Sequence, residues 1–508
     1  MPYIEEIRIK PENYTFMRVG ADAGVRLELQ EHFSFFAPNY KWHPKFKSRI
    51  WDGKLRLFNP SRSLLHLGLF WELFKFCEER NYKIIFDTDE QYGSVKDIFA
   101  EDDVSKEDVE ILDSIPSKYD PRDYQMNAIL WGLKKKRGVI KSPTGSGKSL
   151  LLYFLSMWFL QKQKDQSVLV IVPTTSLVEQ MEGDFKTYSK GLLPDSMIEK
   201  IYSGQNRNPE ARITISTWQS LYNIDGRDAE QFYSRFGLVL HDEVHLGTAK
   251  CIAAVSERCF EAKYKFGFSG SLKDTTLSKL QLKGLYGETF SAITTNELQK
   301  RKQLADLKIN CLVLKYPDSV KKSFINGKPD YQKEVSFILE SDNRNKFIAR
   351  LSLDQKKNTL VLFNYVEKHG KPLFKTLQDL NQEENRKIFF VSGSTDVDNR
   401  ESIRQIVETE ENAIICASSG TFSTGINIVN IHNIIFAFST KSQIRVIQSI
   451  GRALRVGEGK TSATLFDIID DISWKSRTNY GVKHATQRME YYAEEKFKYK
   501  TTMIDFHP

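Results

Sequence analysis

The sequence predicts an α/β protein with two tandem parallel-sheet domains, each covered by helices, preceded by a small α+β N-terminal domain and followed by a short helical C-terminal extension. Three observations predict this. The chain has 508 residues, enough for about three domains at roughly 150 residues each. Short β-branched or apolar runs alternate with helical patterns through most of its length, the signature of parallel sheets with helices on both faces. Charge sets the N-terminal part apart. Residues 39–66 carry seven basic side chains against one acidic residue, Asp52, whereas residues 87–113 carry eleven carboxylates against Lys96 and Lys106.

The elements follow in order. Residues 1–86 form the expected small basic and aromatic domain, and 87–116, with its excess of negative charge, reads as an acidic linker or exposed helical hinge. Runs at 168–172, 213–216, 238–240 and 266–269 supply strands for a first sheet, within a domain spanning 117–305. Runs at 359–363, 388–391, 413–416, 434–438 and 464–468 supply a second, spanning 306–470. The tail, 471–508, is polar and aromatic; Arg488, Tyr491, Tyr492 and Glu495 recur at helical spacing and suggest a helix packed on the second domain.

Composition excludes several classes. A core-forming share of 40% hydrophobic residues excludes a disordered or collagen-like chain. The five cysteines are scattered, odd in number and form no CxxC pair, which fits a reducing cytoplasm and no structural zinc. The longest apolar run, 150–160, is too short to cross a bilayer and reads as a buried helix. A formal net charge of +8 tolerates a polyanionic partner without proving one.

The chemistry begins at Ser142-Pro143-Thr144-Gly145-Ser146-Gly147-Lys148-Ser149, between an apolar stretch at 138–140 and a helical pattern from Leu150. Backbone N–H groups of such a loop, with the following helix N-terminus, cradle β- and γ-phosphates. Gly145 and Gly147 let the backbone approach, Lys148 supplies positive charge, and Ser149 offers its hydroxyl to Mg²⁺. Ser142 stands where the strict motif has glycine. A second carboxylate source follows where Phe236-Gly237-Leu238-Val239-Leu240-His241 ends in Asp242-Glu243-Val244-His245. Asp242 is placed to hold Mg²⁺, and Glu243 to orient and deprotonate the attacking water. Gln448, Arg452 and Arg455 share one face of a helical pattern, where guanidiniums could neutralise charge developing on a transferred phosphoryl group.

This ordered set resembles superfamily 2 helicases and translocases over about residues 117–470. The resemblance implies two RecA-like domains that clamp ATP between them. It makes Arg122 and Gln125 of Arg122-Asp123-Tyr124-Gln125 the adenine-reading segment, and Thr144, Ser146 and Gly425 part of the nucleotide site. Pro173, Thr174, Thr175, Ser203, Gly204 and Thr217 would contact nucleic acid from the first domain; Phe363, Asn364, Ser392, Gly393 and Thr424 would do so from the second. Ser269-Gly270-Ser271 stands where the family couples hydrolysis to domain motion. Asn427 replaces an aspartate common there. The Asp-Glu-Val-His form is nearer to DExH-type enzymes than to DEAD-box RNA helicases. It implies that His245 reaches toward the arginine helix, the alternative being a histidine satisfied locally.

The N-terminal pattern around Asn39-Tyr40-Lys41-Trp42-His43-Pro44-Lys45-Phe46-Lys47, continuing through Arg49, Trp51, Gly53 and Lys54, resembles the UvsW-type recombination helicases of T-even bacteriophages. That family implies ATP-dependent unwinding or remodelling of junctions, forks and R-loops in recombination, repair and replication, with 3′-to-5′ translocation and a duplex-binding N-terminal domain. From the residues alone, Lys41, Trp42, Lys45, Lys47 and Arg49 can neutralise phosphates and stack on bases; equally, Trp42 and Trp51 can form a small core beneath solubilising lysines. The expected cofactors are ATP and Mg²⁺. The expected partner is single-stranded and branched DNA, RNA–DNA hybrids included, engaged by a monomer in the cytoplasm (the host's, for a phage protein). The rival readings are a duplex translocase that does not separate strands, an RNA-directed helicase, and an annealing or binding scaffold without turnover.

Overall fold

The structure is a computed structural model and describes residues 5–37, 40–101, 103–202, 210–245, 250–272, 276–324, 330–421, 428–442, 446–447, 449–451, 454–456 and 460–508. The chain forms two compact units. One comprises residues 1–142 and 147–292; the other comprises 293–508 with the loop 143–146.

The first unit opens with a five-stranded mixed sheet. Its strands lie in the order Phe58–Asn59, Leu64–His66, Phe16–Gly20, Glu6–Pro11, Lys83–Phe86, the last pair parallel and the others antiparallel. Alternation sets the buried face: Ile7 and Ile9, then Met17 and Val19, point inward. Helices Ala23–His32 and Phe70–Glu79 cover that face through Val25, Leu29, Leu73 and Phe76. A separate hairpin of Ser34–Phe36 and Lys54–Arg56 carries the basic, aromatic excursion at its end.

The larger part of this unit is a seven-stranded, wholly parallel sheet. The order is Ile198–Ile201, Ile213–Thr217, Ser167–Val172, Phe236–His241, Tyr264–Ser269, Arg137–Lys141, Thr289–Ser291. Central strands such as Ser167–Val172 are buried at every position, as continuous apolar runs between two helix layers must be. The helix Lys148–Lys162 is buried nearly all round, from Leu150 to Phe159 and Leu160, which is why the apolar run there has no amphipathic stripe.

The acidic stretch at 87–113 is folded into the first unit, between its N-terminal sheet and its large sheet. Helices Val95–Ile98 and Lys106–Ser114 bury Val95 and Ile98 in the N-terminal core, and Leu112 and Ile115 join the core of the large sheet. Its carboxylates meet cations of the neighbouring domain: Glu107 pairs with Lys162, Asp108 lies 3.3 Å from the same Lys162, and Glu101 pairs with Lys135. Charge counted along the sequence suggested a linker because those partners lie in another domain.

The second unit is again a seven-stranded parallel sheet, ordered Ile388–Val391, Ile414–Ser418, Thr359–Phe363, Asn433–Phe436, Ser462–Asp471, Asp306–Lys315, Lys498–Asp505. The C-terminal segment is helical over Tyr480–Glu494, as expected, and then continues into the strand Lys498–Asp505, which the sequence reading did not foresee. That strand is a polar edge strand with nearly every side chain exposed, so it lacks the apolar alternation that marks a half-buried strand. Glu334 caps the helix before it, accepting from the backbone N–H groups of Tyr480 and Gly481 at 2.9 and 2.7 Å. A buried pair holds the helix to the sheet. Arg488 donates to both carboxylate oxygens of Asp467 at 2.9 and 2.7 Å, and Tyr492 adds its hydroxyl at 2.9 Å.

Candidate functional site

All strands of the large first-unit sheet run the same way, so the residues that follow them gather along one edge, where α/β proteins bind ligands. Lys141 leads into the phosphate loop, Val172 into Pro173 and Thr174, His241 into Asp242, and Ser269 into Gly270 and Ser271. Thr217 ends its own strand at the same edge.

In the loop, Gly145 and Gly147 have φ of 84° and 81°, the left-handed region that glycine enters without strain. Gly147 has a second constraint: a Cβ there would meet Gln125 Nε2 at 2.5 Å. Gln125 sits in the first turn of the helix Asp123–Lys135; its Oε1 accepts from Arg122 N at 2.8 Å and its Nε2 donates to Gly147 O at 3.2 Å. Arg122 also donates from Nη1 to the Tyr124 hydroxyl at 3.1 Å. The expected adenine reader thus braces the phosphate loop. Ser146 Oγ closes the turn on Pro143 O at 2.6 Å, with Thr144 inside that turn. Lys148 and Ser149 open the helix, and Ser149 Oγ lies 2.7 Å from Tyr188 OH.

Opposite the loop, Lys148 Nζ lies 3.5 Å from Glu243 Oε1, and His245 Nδ1 lies 3.3 Å from Glu243 Oε2. His245 Nδ1 is also 2.9 Å from Ser269 Oγ, which donates to Ser271 O at 2.6 Å. A continuous polar path therefore runs from the phosphate-loop lysine through the acid and the histidine to the Ser-Gly-Ser turn. Glu243 has φ of 51°, a conformation that costs a non-glycine residue energy and turns its carboxylate back toward the loop. Burial works against ionisation of Glu243, but Lys148 and His245 outweigh it and hold the carboxyl well below its usual range. Asp242 moves the other way, raised by burial and by the adjacent Glu243. Two neighbouring carboxyl groups therefore share the charge of Lys148, and the excess of acid over base between them is the chemistry that suits a divalent cation.

The remaining first-unit positions are helix starts. Thr174 Oγ1 caps the helix Thr175–Tyr188, accepting from Leu177 N at 3.4 Å, and Pro173 precedes it. Thr217 Oγ1 caps Trp218–Tyr222, accepting from Ser220 N at 3.3 Å. Each puts a helix N-terminus, with its backbone N–H groups, at the edge of the sheet. In the second unit, Phe363 ends its strand and Asn364 Oδ1 accepts from Ser419 Oγ at 2.6 Å. Ser392 N donates to Thr395 Oγ1 at 3.0 Å, and Gly393 O accepts from Arg400 Nη2 at 3.0 Å. Arg455, expected on a helical face, lies instead in an isolated antiparallel bridge with Leu304 and is partly buried, because the chain leaves the helix before it. Ser203, Gly204, Thr424, Gly425, Gln448 and Arg452 lie outside the described residues.

In the N-terminal excursion, Lys41 and Trp42 stand on the turn Tyr40–Trp42, Lys45 and Lys47 on the short helix Pro44–Lys47, and Arg49 just beyond it; all five side chains are exposed.

The comparisons assign the parts. Residues 118–274 match the family model described as the res subunit of type III restriction enzymes, 343–457 the helicase conserved C-terminal domain, and 6–87 the N-terminal domain of the DNA helicase UvsW. The ATP-dependent DNA helicase uvsW of Enterobacteria phage T4 is 35% identical over 512 residues, spanning 97% of this chain and 98% of that protein. The chain belongs to the UvsW family of superfamily 2 helicases. A crystal structure of T4 UvsW covers 98% of this chain and 99% of its own, at 31% identity and a TM-score of 0.50. The probable helicase D10 of Escherichia phage T5 is 24% identical over 368 residues, 71% of this chain and 72% of that protein.

In this UvsW-family chain the two parallel sheets are tandem RecA-like domains. Sequence reasoning missed Tyr188, the neighbour of Ser149, and Tyr286, whose hydroxyl lies 2.6 Å from His241 Nδ1 beneath the Asp-Glu pair. Both come from elements remote in sequence and belong to no motif, so nothing in the sequence marks them. His241 itself is fully buried and is held neutral, its pKa pushed down to about 3 by burial.

Proposed function

We propose that this chain is an ATP-dependent DNA helicase that unwinds or remodels branched DNA, junctions, forks and R-loops, in recombination, repair and replication. The likeness to the T4 helicase uvsW over nearly the whole chain carries the DNA substrate, and the contact path Lys148–Glu243–His245–Ser269 at the carboxyl edge of a parallel sheet carries the ATP chemistry. ATP enters over the glycine loop, where Lys148 exchanges its contact with Glu243 for the phosphates. Glu243 is ionised at neutral pH, so it can accept the proton of the attacking water. Ser149 and Asp242 would hold a magnesium ion, which supplies charge neutralisation on the phosphates. His245 reports the state of Glu243 to Ser269-Gly270-Ser271, the proposed coupling turn. Gln448, Arg452 and Arg455, with Gly425, are the second unit's proposed contribution to the nucleotide. Pro173, Thr174, Thr175, Ser203, Gly204, Thr217, Phe363, Asn364, Ser392, Gly393 and Thr424 are the proposed strand track. Contacts of this kind go mainly to phosphates, so binding falls steeply with salt and shows little sequence preference.

We place the protein in the host cytoplasm as a monomer; among the described residues no helix is long and apolar enough to cross a membrane. The test is steady-state ATP hydrolysis without DNA and with single strand, duplex or a four-way junction, with and without magnesium, beside Lys148→Ala and Glu243→Gln. DNA-stimulated turnover at least 100-fold above both variants is expected, an order of magnitude in keeping with loss of a group that acts on the transferred phosphoryl. Wild-type turnover no higher than that of the variants would leave a binding or annealing scaffold instead. Strand-displacement assays on matched DNA and RNA substrates separate a helicase from a duplex translocase and from an RNA-directed enzyme.

A further inference from the structure

The excursion at 40–53 has an interior and a tip. Half-buried Tyr40 meets Phe46 edge-on at 4.8 Å, the exposed Phe36 stacks on Tyr40 with centroids 4.5 Å apart, and the exposed His43 meets half-buried Trp51 at 5.2 Å. Trp51 Nε1 donates to Lys54 O at 2.9 Å, and Ile50 N and Trp51 N both donate to Lys45 O at 2.9 and 3.1 Å. At Gly53, φ is 81° and a Cβ would meet the Tyr40 ring at 2.4 Å, so the turn is closed around that ring. The segment is therefore internally braced. Two large apolar side chains within 40–53 make none of these ring contacts and stand furthest into solvent: Trp42 is 75% exposed and Ile50 77%. Between them Arg49 holds a strained φ of 57°. Beside Ile50 opens a cavity of about 780 Å³ with Phe46 and Trp51 in its wall and Lys41, Lys47 and Arg49 around it. Its one carboxylate, Asp52, is paired with Arg56.

Exposed apolar groups ringed by cations fit a ligand that is polyanionic and also offers flat apolar faces. Nucleic acid is such a ligand, and only where its bases are unstacked. In continuous duplex the base faces cover one another and the grooves show only edges. Trp42 and Ile50 would then gain no burial, and only the cations would engage. At a branch point the last base pair and the first unpaired base expose their faces, and stacking on an aromatic ring needs no particular sequence.

Resting on the reading of this chain as a DNA-dependent motor, we propose that residues 40–53 form a branch-point reader. Trp42 and Ile50 pack on the base face exposed where duplex gives way to single strand, the unpaired base enters the cavity beside Ile50, and Lys41, Lys45, Lys47 and Arg49 hold the flanking phosphates.

The test uses the full chain, a forked DNA with 2-aminopurine at the first unpaired position, and a fully paired duplex of the same length. Affinity and fluorescence are measured for the wild type and for Trp42→Ala, Trp42→Phe, Ile50→Ala and Lys45→Ala, with unfolding midpoints matched to the wild type as the control for folding. The wild type is expected to prefer the fork and to change the 2-aminopurine signal. Trp42→Ala and Ile50→Ala each lower fork affinity about tenfold, the scale of one lost base stack, and leave duplex affinity within about twofold. Trp42→Phe keeps most of the preference, and Lys45→Ala weakens both substrates alike. Equal losses on fork and duplex, or no loss on the fork, overturn the proposal, as does a wild type that hydrolyses ATP on DNA without preferring the fork. A wild type with no DNA-stimulated hydrolysis overturns the motor reading instead, while the fork-to-duplex ratio still decides what this surface binds. Loss of binding to an acidic protein with fork affinity intact would make the surface a protein-docking site and overturn the proposal too.

Discussion

Lys265 Nζ donates to Thr15 Oγ1 at 2.9 Å, joining the central strand Tyr264–Ser269 of the first RecA-like domain to the N-terminal domain 250 positions earlier. Both side chains are buried, and the lysine's other partner is Ser256 O at 3.0 Å. Around it, Arg137 Nη2 donates to Tyr14 O at 3.2 Å, His66 Nε2 lies 2.9 Å from Glu257 Oε1, and Lys283 Nζ donates to Glu72 Oε1 at 2.8 Å. The N-terminal domain is thus seated on the motor domain through a partly buried polar interface.

Lys265 gives that interface a pH signature. Among the described residues no carboxylate hydrogen-bonds its ammonium group, and burial pushes its pKa down to about 7. The unfolded chain keeps an ordinary lysine, so between about pH 7 and pH 10 it binds more protons than the folded one, and stability rises with pH across that window. Below pH 7 both states carry the charge and the slope vanishes. Urea midpoints at pH 7, 8 and 9 should therefore climb more in the wild type than in Lys265→Met. Parallel profiles for the two proteins would show that the lysine is not desolvated.

Gly68 tests the seat sterically. A Cβ on it would come within 2.0 Å of Lys283 O, a backbone atom of the motor domain that has little freedom to move away. Gly68→Ala is expected to cost about 1–3 kcal/mol, as overpacking does. It should also expose sites around residue 66 to limited proteolysis. An unchanged unfolding midpoint would mean that the two domains are less tightly apposed than this contact requires.

Gly147→Ala addresses the phosphate loop. A side chain there must tolerate φ of 81° and also displace the Gln125 amide. ATP affinity should fall at least tenfold with little change in DNA affinity, as read by fluorescent-nucleotide titration. Gly183→Ala is the control, because a Cβ at that helical position meets nothing within 4 Å. Equal nucleotide affinities in the two variants would count against the cradle.

Arg488 and Asp467 are both fully buried. Arg488→Met leaves a carboxylate in the core with the Tyr492 hydroxyl and no cation, which should cost about 3–5 kcal/mol. Asp467→Asn in the same chain should recover part of that loss by removing the uncompensated charge. Chemical denaturation of the single and double variants checks both statements, and a single-variant loss under about 1 kcal/mol would mean that water reaches the pair.

The residues proposed for the chemistry of the motor site were legible as motifs because they are local. A glycine loop before a helix, two acids at the end of an apolar run and Ser-Gly-Ser after another are patterns of adjacent residues. A parallel sheet then brings them to one edge without further instruction, as Lys148, Glu243, His245 and Ser269 demonstrate. Most of the strands of both sheets could be read from their apolar runs for the same reason.

What the sequence by itself determined, then, was the motor: its fold class, the order of its motifs and the candidate residues for its first-domain nucleotide edge. Tertiary structure decided the rest. It packed the acidic stretch at 87–113 through the helices Val95–Ile98 and Lys106–Ser114, with Glu107 and Asp108 meeting Lys162, and it recruited the polar segment Lys498–Asp505 as an edge strand. It also sorted two similar tryptophans, placing Trp51 within the aromatic cluster and Trp42 in solvent. The physical reason is common to all three. Whether a charge is neutralised, an edge is paired or a ring is covered depends on groups remote in the chain, and local periodicity carries no information about them.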